Sequence, residues 1–262
     1  RRLYEVPGVR RDFDVVALHP YAAYVAWVRT QIRFVREVMV EAESMEDAFK
    51  AVADKAFPGA VLAVGHQGRL VALKGFGKLD YSHDARAAAP DVIYDLASVS
   101  KVLGAATAVA LLHEQKKLLL DLPVVRYIPE FGAAPDHEKI TVRQMLTHTA
   151  GFPGYERLFL EKEVRDRQAL LQRIYAMPLA VKPGEKYTYT DFGMILLAEL
   201  VERVAGLPLD QFLRQEVLDP LEMRETFYKP GKSFLPRIAP TEQDNAFRKK
   251  LVRGEVHDEH AW

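Results

Sequence analysis

Two short apolar segments in the first third of the chain restrict its fold more than any other feature of the sequence. They lie at residues 60–64 and 70–76, and residues 66–69 between them include a glycine. Short apolar runs joined by a glycine-containing turn are typical of a β-hairpin. The sequence therefore predicts an antiparallel ribbon at this point, followed by a chain that is mostly helical.

Residues 1–43 have a different pattern from the rest of the chain. A strand-like apolar run at residues 13–21 contains Pro20 near its end, and residues 22–40 have helical periodicity. The run at residues 13–21 resembles the end of a barrel strand in glycoside hydrolases, which makes residues 1–43 a candidate for a fused, foreign segment. Glycoside hydrolysis itself is not predicted, because that chemistry needs a pair of carboxylates in a barrel. The predicted domains are an extra N-terminal strand–helix segment, residues 1–43, and one main domain, residues 44–262.

Capping residues and apolar periodicity predict further helices in the main domain. These helices span residues 44–57, 98–115, 142–148, 164–176, 191–205 and 209–218, the last with Pro208 in its first turn.

The composition excludes several classes of function. Lys plus Arg and Asp plus Glu each number 36, so the chain has no net charge with which to attract nucleic acid or an anionic membrane. The chain has no cysteine, which excludes disulfides and thiolate metal sites and leaves an oxygen or an amine as any nucleophile. The apolar stretches are too short or too interrupted by charge to predict a membrane span. The cellular location stays open.

Ser98 and Lys101 stand three residues apart at the predicted start of the helix at residues 98–115. Side chains at this spacing project from one face of a helix, so the hydroxyl and the amine come within reach of each other. A serine hydroxyl needs a neighbour that takes its proton, and partial burial near a helix N-terminus can lower the pKa of an amine enough to assist. A Ser-x-x-Lys match is nevertheless expected about once by chance in a chain of this composition. The structural alternative is that Ser98 caps the helix and Lys101 is solvated.

Three further segments, in the same order along the chain, resemble one known family. They read ITVRQMLTHTAG at residues 140–151, PGEKYTYTDFG at residues 183–193 and DPLEMRETF at residues 219–227. With the Ser-x-x-Lys tetrad, they make the chain from about residue 48 onward similar to class C β-lactamases, family VIII-type esterases and DD-peptidases. The resemblance implies an α+β, β-lactamase/transpeptidase-like fold, in which a helical domain packs against an antiparallel sheet.

The resemblance also implies the roles of four residues. Ser98 becomes the nucleophile, with Lys101 and Tyr189 as its activators, because residues 189–191 occupy the place of the family's Tyr-x-Asn motif. Asp191 stands at the substrate-binding position of that motif, where the family has asparagine. Its negative charge would tend to hold Lys101 protonated, which makes Tyr189 the predicted base. An aspartate also lacks the amide donor that could contact a substrate carbonyl, which weakens the prediction of lactam recognition.

Each of the remaining candidates has a simpler interpretation. Tyr189 could be a core aromatic with Asp191 as a helix cap. His148 could serve Ser98 as a base, but the resemblance places it in a structural turn. His257 and His260 have the spacing of a metal pair, yet such short clusters are usually incidental. No metal and no cofactor is predicted.

The third motif of the family, a His-x-Gly or Lys-Thr-Gly on a strand that lines the site, is expected just after residues 252–261, where the chain ends at Trp262. The resemblance therefore predicts a C-terminal truncation and an incomplete sheet. Residues 60–76 would then form a two-stranded ribbon with an open edge, for which a partner chain is a candidate cover.

The predicted function is a serine hydrolase that forms an acyl-enzyme on Ser98 with a small ester or amide, such as a β-lactam, a peptide or a carboxylic ester. Weak or absent turnover is expected, because the second oxyanion donor comes from the missing strand. The alternative is a non-catalytic binding module of the same fold, or an inactive fragment. The substrate class and the oligomeric state stay open.

Overall fold

The computed structural model describes residues 13–18, 49–66 and 69–260, which fall into two compact units. One unit comprises the described residues up to Ala97 together with those from Lys229 onward, and the other spans Ser98–Tyr228. The predicted helix at residues 22–40 and the predicted domain boundary after residue 43 lie outside the described residues.

The first unit contains a three-stranded antiparallel sheet. Its strands are β1 (Phe13–Leu18), β2 (Gly59–His66) and β3 (Arg69–Gly77), in the order β1-β2-β3. The hairpin of β2 and β3 is confirmed, but the prediction of only two strands is wrong, because β1 pairs with β2 at residues 61–66. Within the described residues, β3 has no further strand beside it and is an edge of this sheet. One of the two edges of the predicted ribbon is therefore occupied by the same chain.

The rest of the first unit is less helical than the sequence predicts. Residues 49–53 are helical, whereas residues 54–56 form a turn and not the end of the predicted helix. After a 3₁₀ segment at Lys232–Arg237, two strands that were not predicted, β4 (Glu242–Asp244) and β5 (Lys250–Val252), pair antiparallel. Three-residue strands are too short to carry a readable period of two, which explains why the sequence did not indicate them.

The second unit is helical, and every predicted helix in it has a counterpart. The helices are α1 (Thr107–Glu114), α2 (Val142–Leu146), α3 (Arg167–Tyr175), α4 (Phe192–Ala205) and α5 (Leu209–Leu213). A π-helical segment, Lys101–Ala106, leads into α1, and a second one, Arg214–Leu218, follows α5. Short 3₁₀ segments lie at Val124–Arg126, Pro129–Ala133, His137–Lys139 and Leu158–Leu160. Across the described ranges, no helix combines the length and the apolarity needed to cross a membrane.

Helix α4 is the centre of the core of the second unit. It packs against α1 and against the π-helical segment Lys101–Ala106, and its inner face is apolar at helical spacing. Leu197, Leu200 and Val201 are fully buried, as are Ala108 and Leu112 of α1. Burying a leucine or valine side chain contributes about 1.5–3 kcal/mol, so this packing fixes the helix that follows Ser98 against the helix that follows Asp191.

Gly104 gives the π-helical segment room for a tyrosine. A Cβ atom at residue 104 would lie 2.5 Å from the hydroxyl oxygen of Tyr228, and the next nearest atoms would be 3.9 Å away. The wide turn includes a hydrogen bond from the Thr107 hydroxyl to the carbonyl oxygen of Val102, at 2.8 Å. The Tyr228 hydroxyl group is therefore the main obstacle to an alanine at position 104.

We expect Gly104→Ala to destabilise the protein by about 1–3 kcal/mol, because the new methyl group overlaps the Tyr228 hydroxyl. In a Tyr228→Phe background the overlap is gone, and alanine should be neutral or stabilise the helix by up to about 1 kcal/mol. Urea unfolding of the four proteins of this double-mutant cycle measures the coupling. Additive effects of the two substitutions would contradict the packing described.

Candidate active site

The chain makes a sharp turn immediately before Ser98. Ala97 has a φ of +44°, a left-handed conformation that costs a residue with a side chain about 1–2 kcal/mol. The Asp95 carboxylate accepts a hydrogen bond from the Ala97 N–H at 2.8 Å, which holds this turn. Ser98 then opens the helical stretch, and its carbonyl oxygen accepts a hydrogen bond from the Lys101 N–H at 3.1 Å. Strained backbone of this kind is frequent beside functional residues.

Lys101 connects the residues that the sequence predicted to act together. Its ammonium group lies 3.0 Å from the Ser98 hydroxyl oxygen and 2.6 Å from a carboxylate oxygen of Asp191. The same nitrogen lies 5.2 Å from the centre of the Tyr189 ring. The exposed fractions of the Lys101 and Asp191 side chains are only 16% and 23%, so the ion pair is screened less than a surface pair. The structure thus brings Ser98, Lys101, Tyr189 and Asp191 into one cluster.

The charge of Lys101 is set by its neighbours. Burial alone would lower the pKa of Lys101, but the hydrogen bonds and charges of Asp191 and Tyr189 outweigh burial and hold this pKa above its usual value. Near neutral pH, Lys101 is therefore an ammonium ion that donates a hydrogen bond to Ser98. An ammonium ion has no lone pair with which to take the serine proton.

Asp191 stands at the N-cap position of α4, yet its carboxylate makes no capping hydrogen bond. The preceding residue, Thr190, is buried, and its hydroxyl oxygen accepts a hydrogen bond from the Phe192 N–H at 3.3 Å. The carboxylate of Asp191 is thereby available to Lys101. The interpretation of Asp191 as a simple helix cap is wrong.

His148 lies closer to this cluster than the sequence indicated. It follows α2, whose first turn is closed by a capping box between Thr141 and Gln144. His148 has a φ of +56°, and its imidazole lies 4.6 Å from the Tyr189 ring, centre to centre. Burial and the nearby charge of Lys101 hold the pKa of His148 below its usual value.

The His257 and His260 pair, the other candidate in the sequence, belongs to the first unit. There, the His257 imidazole lies 3.0 Å from a carboxylate oxygen of Glu242, the first residue of β4. This contact connects His257 to the β4–β5 hairpin.

Comparison with known proteins identifies a family to which this sequence is similar. The sequence model of the Beta-lactamase family matches residues 41–261. The N-acetylmuramyl-L-alanine amidase of Bacillus subtilis is 32% identical in an alignment 234 residues long, which covers 79% of this chain and 53% of the amidase. This chain spans about half the length of the curated relatives that it matches.

Solved structures with similar folds include EstCE1, a hydrolase with promiscuous acyltransferase activity. Its TM-score is 0.64 at 26% identity, over 74% of this chain and 54% of EstCE1. A class C beta-lactamase has a TM-score of 0.68 at 19% identity, over 82% of this chain and 58% of that protein. The predicted fold class, α+β of the β-lactamase/transpeptidase type, is confirmed by these similarities.

The ion pair within the cluster predicts how Lys101 titrates. Asp191→Asn removes the charge that raises the pKa of Lys101 and leaves the burial that lowers it, so this pKa should fall. Titration of ¹³C-labelled lysine by NMR measures the change. Asp219→Asn, which removes a carboxylate paired with Arg214 at 3.3 Å, is the matched control and should leave Lys101 unchanged. An unchanged Lys101 pKa in Asp191→Asn would contradict the electrostatic account.

Proposed function

Because this chain belongs to the Beta-lactamase family, we propose that it is a serine hydrolase that forms an acyl-enzyme on Ser98. The relative in Bacillus subtilis is named an amidase, and EstCE1 is a hydrolase with acyltransferase activity. An amidase transfers an acyl group from an amide to water, so both names describe acyl transfer. The proposed substrate of this chain is accordingly a small ester or amide.

One observation carries the proposal: the Lys101 ammonium group lies between the Ser98 hydroxyl, at 3.0 Å, and the Asp191 carboxylate, at 2.6 Å. An ammonium ion held in this way polarises the serine hydroxyl and stabilises negative charge nearby. Burial lowers the pKa of Lys101, but Asp191 and Tyr189 raise it by more. Lys101 is therefore protonated near neutral pH and is not the proposed base. The base is therefore assigned to Tyr189, the other activator in the cluster.

In the acylation step, the proposed base Tyr189 has to react as its phenolate, beside the positive charge of Lys101. The phenolate takes the hydroxyl proton of Ser98 while the serine oxygen forms a bond to the acyl carbon of the substrate. The carbonyl electron pair moves onto the carbonyl oxygen, and the Ser98 N–H can donate a hydrogen bond to this oxyanion. When the carbonyl re-forms, the bond to the leaving group breaks and the leaving group takes the proton from Tyr189.

Deacylation repeats these steps with water. Tyr189 takes a proton from a water molecule while the water oxygen forms a bond to the acyl carbon. The bond between the acyl carbon and the Ser98 oxygen then breaks, and the Ser98 oxygen takes the proton from Tyr189. The acid leaves as product, and Ser98 and Tyr189 return to their starting forms. Lys101 keeps its charge throughout, so the cycle needs no change in the Lys101–Asp191 pair.

Asp191 also restricts the acyl donor. A carboxylate can accept hydrogen bonds but has none to donate, so it cannot contact a substrate carbonyl as an asparagine amide would. Substrates that depend on such a donor bind less well, and a negatively charged group placed beside Asp191 is repelled. Carboxylic esters without a nearby negative charge are therefore the preferred proposed substrates.

The proposal predicts that a fluorophosphonate probe labels Ser98. Intact-mass and peptide mass spectrometry should detect one adduct on the wild-type protein and none on Ser98→Ala. Ser100→Ala removes a hydroxyl only two residues away and is the matched control, which should label like the wild type. Tyr189→Phe should label about 10²–10⁴-fold more slowly, the usual contribution of a general base.

The outcomes separate the two functions considered. Equal labelling of Ser98→Ala and the wild type would show that the nucleophile is assigned wrongly. Complete absence of labelling in a folded wild-type protein would favour a non-catalytic binding module. Hydrolysis of p-nitrophenyl butyrate, compared with a β-lactam and with a peptide, then determines the class of acyl donor.

A further inference from the structure

We propose that neutral His148 is a positioning residue, which holds Tyr189 in the position where it can act as a base. Protonation of His148 releases Tyr189 and slows acylation. The inference rests on the proposed function, because His148 affects acylation only if Tyr189 is the base. His148 itself touches no reacting atom in this proposal.

His148 binds the chain on both sides of Tyr189. Its carbonyl oxygen accepts a hydrogen bond from the Thr188 N–H at 2.8 Å, and its Nδ1 atom accepts one from the Thr190 N–H at 3.3 Å. Between these two bonds, the imidazole lies tilted against the Tyr189 ring, with 4.6 Å between the ring centres. Residues 185–190 belong to no helix or strand, so these contacts are important for the position of the phenol.

His148 has a left-handed backbone conformation that histidine rarely adopts, which indicates that its side chain is functionally important. The His148 N–H donates to the Met145 carbonyl at 3.2 Å, and the Thr149 N–H donates to the Gln144 carbonyl at 2.9 Å. These two bonds form a Schellman motif at the end of α2, in which His148 takes the left-handed position that glycine usually occupies. Histidine at a φ of +56° is less favourable than glycine or asparagine. The imidazole contributes the contacts with Thr190 and Tyr189 that a glycine would lack.

The hydrogen bond from Thr190 defines the protonation state that positions Tyr189. An Nδ1 atom that accepts a hydrogen bond has no proton, so the neutral ring carries its proton on Nε2. After protonation of Nδ1, the Nδ1–H and the Thr190 N–H would both be donors that face each other, and the hydrogen bond between them would be lost. The charged and titratable groups facing the ring are Lys101, Asp191, Tyr187 and Tyr189.

The sign of the pH effect follows from the surroundings. Burial and the Lys101 charge lower the pKa of His148, and these effects outweigh the attraction of Asp191. The ring is therefore neutral at pH 7, and Tyr189 is held. Acylation should be at its full rate above the pKa of His148 and should decline as the pH falls through it, below the usual histidine value of about 6.5.

Two substitutions at residue 148 fit its left-handed backbone and separate positioning from folding. His148→Gly removes the acceptor, so labelling of Ser98 by the fluorophosphonate should slow about ten-fold or more, although the melting temperature stays equal or rises. His148→Asn places an amide oxygen near the position of Nδ1, which should keep the rate within a few-fold of the wild type and remove the decline below pH 6.5. His113→Asn is the control, since His113 bonds to the Leu118 carbonyl near the end of α1.

A second measurement does not depend on catalysis. In ¹⁵N-labelled protein, the amide resonance of Thr190 should titrate with the same midpoint as the His148 ring, and this titration should vanish in His148→Asn. The control variant His113→Asn should keep it.

The outcomes distinguish this inference from the proposed function. Labelling at Ser98 with a pH profile and rate that are the same in His148→Gly and the wild type would overturn the positioning role and leave the hydrolase proposal intact. A Thr190 amide that does not follow His148 would also overturn it. No labelling of the wild type at any pH would overturn the proposed function, and this inference with it.

Discussion

The ion pair between Lys101 and Asp191 is the interaction on which the account of this protein depends. At 2.6 Å and with little exposure, it fixes the charge of Lys101 and directs the ammonium group toward Ser98. A largely buried lysine without such a partner could lose its proton and act as a base. The aspartate removes that option and leaves the proton transfer to Tyr189.

Three local structures bring this pair and its neighbours together. The left-handed turn at Ala97 leads into the helical stretch that carries Ser98 and Lys101, and α4 begins directly after Asp191. The third is the end of α2, where His148 binds the segment around Tyr189 through Thr188 and Thr190. The apolar packing of α1 against α4 holds the first two of these structures in register. The apolar core of this unit combines leucine, valine, isoleucine, phenylalanine and methionine side chains, and their burial is the main source of its stability.

Much of the fold could be read from local patterns. The hairpin of β2 and β3 and the helices of the second unit each carry their own periodicity, and the Ser98–Lys101 spacing places two side chains on one helical face. The pairing of β1 with β2 could not be read, because it joins residues more than forty positions apart and depends on which edge is free. The π-helical segment at Lys101–Ala106 was not predicted, because apolar periodicity over six residues does not distinguish a π-helical turn from an α-helical one. His148 was assigned only to a turn, although a capping box from Thr141 to Gln144 followed by a non-glycine helix end was visible as a signal.

In the proposed mechanism, Lys101 acts as a fixed positive charge and Tyr189 as the base. Lys101→Arg tests it most directly, because arginine keeps the charge and cannot be deprotonated in a protein. The measurement is the rate of Ser98 acylation by an activated ester in Lys101→Arg, Lys101→Met and Tyr189→Phe, each with an unchanged unfolding transition. We expect Lys101→Arg to retain much more activity than Lys101→Met, and Tyr189→Phe to lose most of the wild-type activity. Equal inactivity of Lys101→Arg and Lys101→Met, together with an active Tyr189→Phe, would contradict the account.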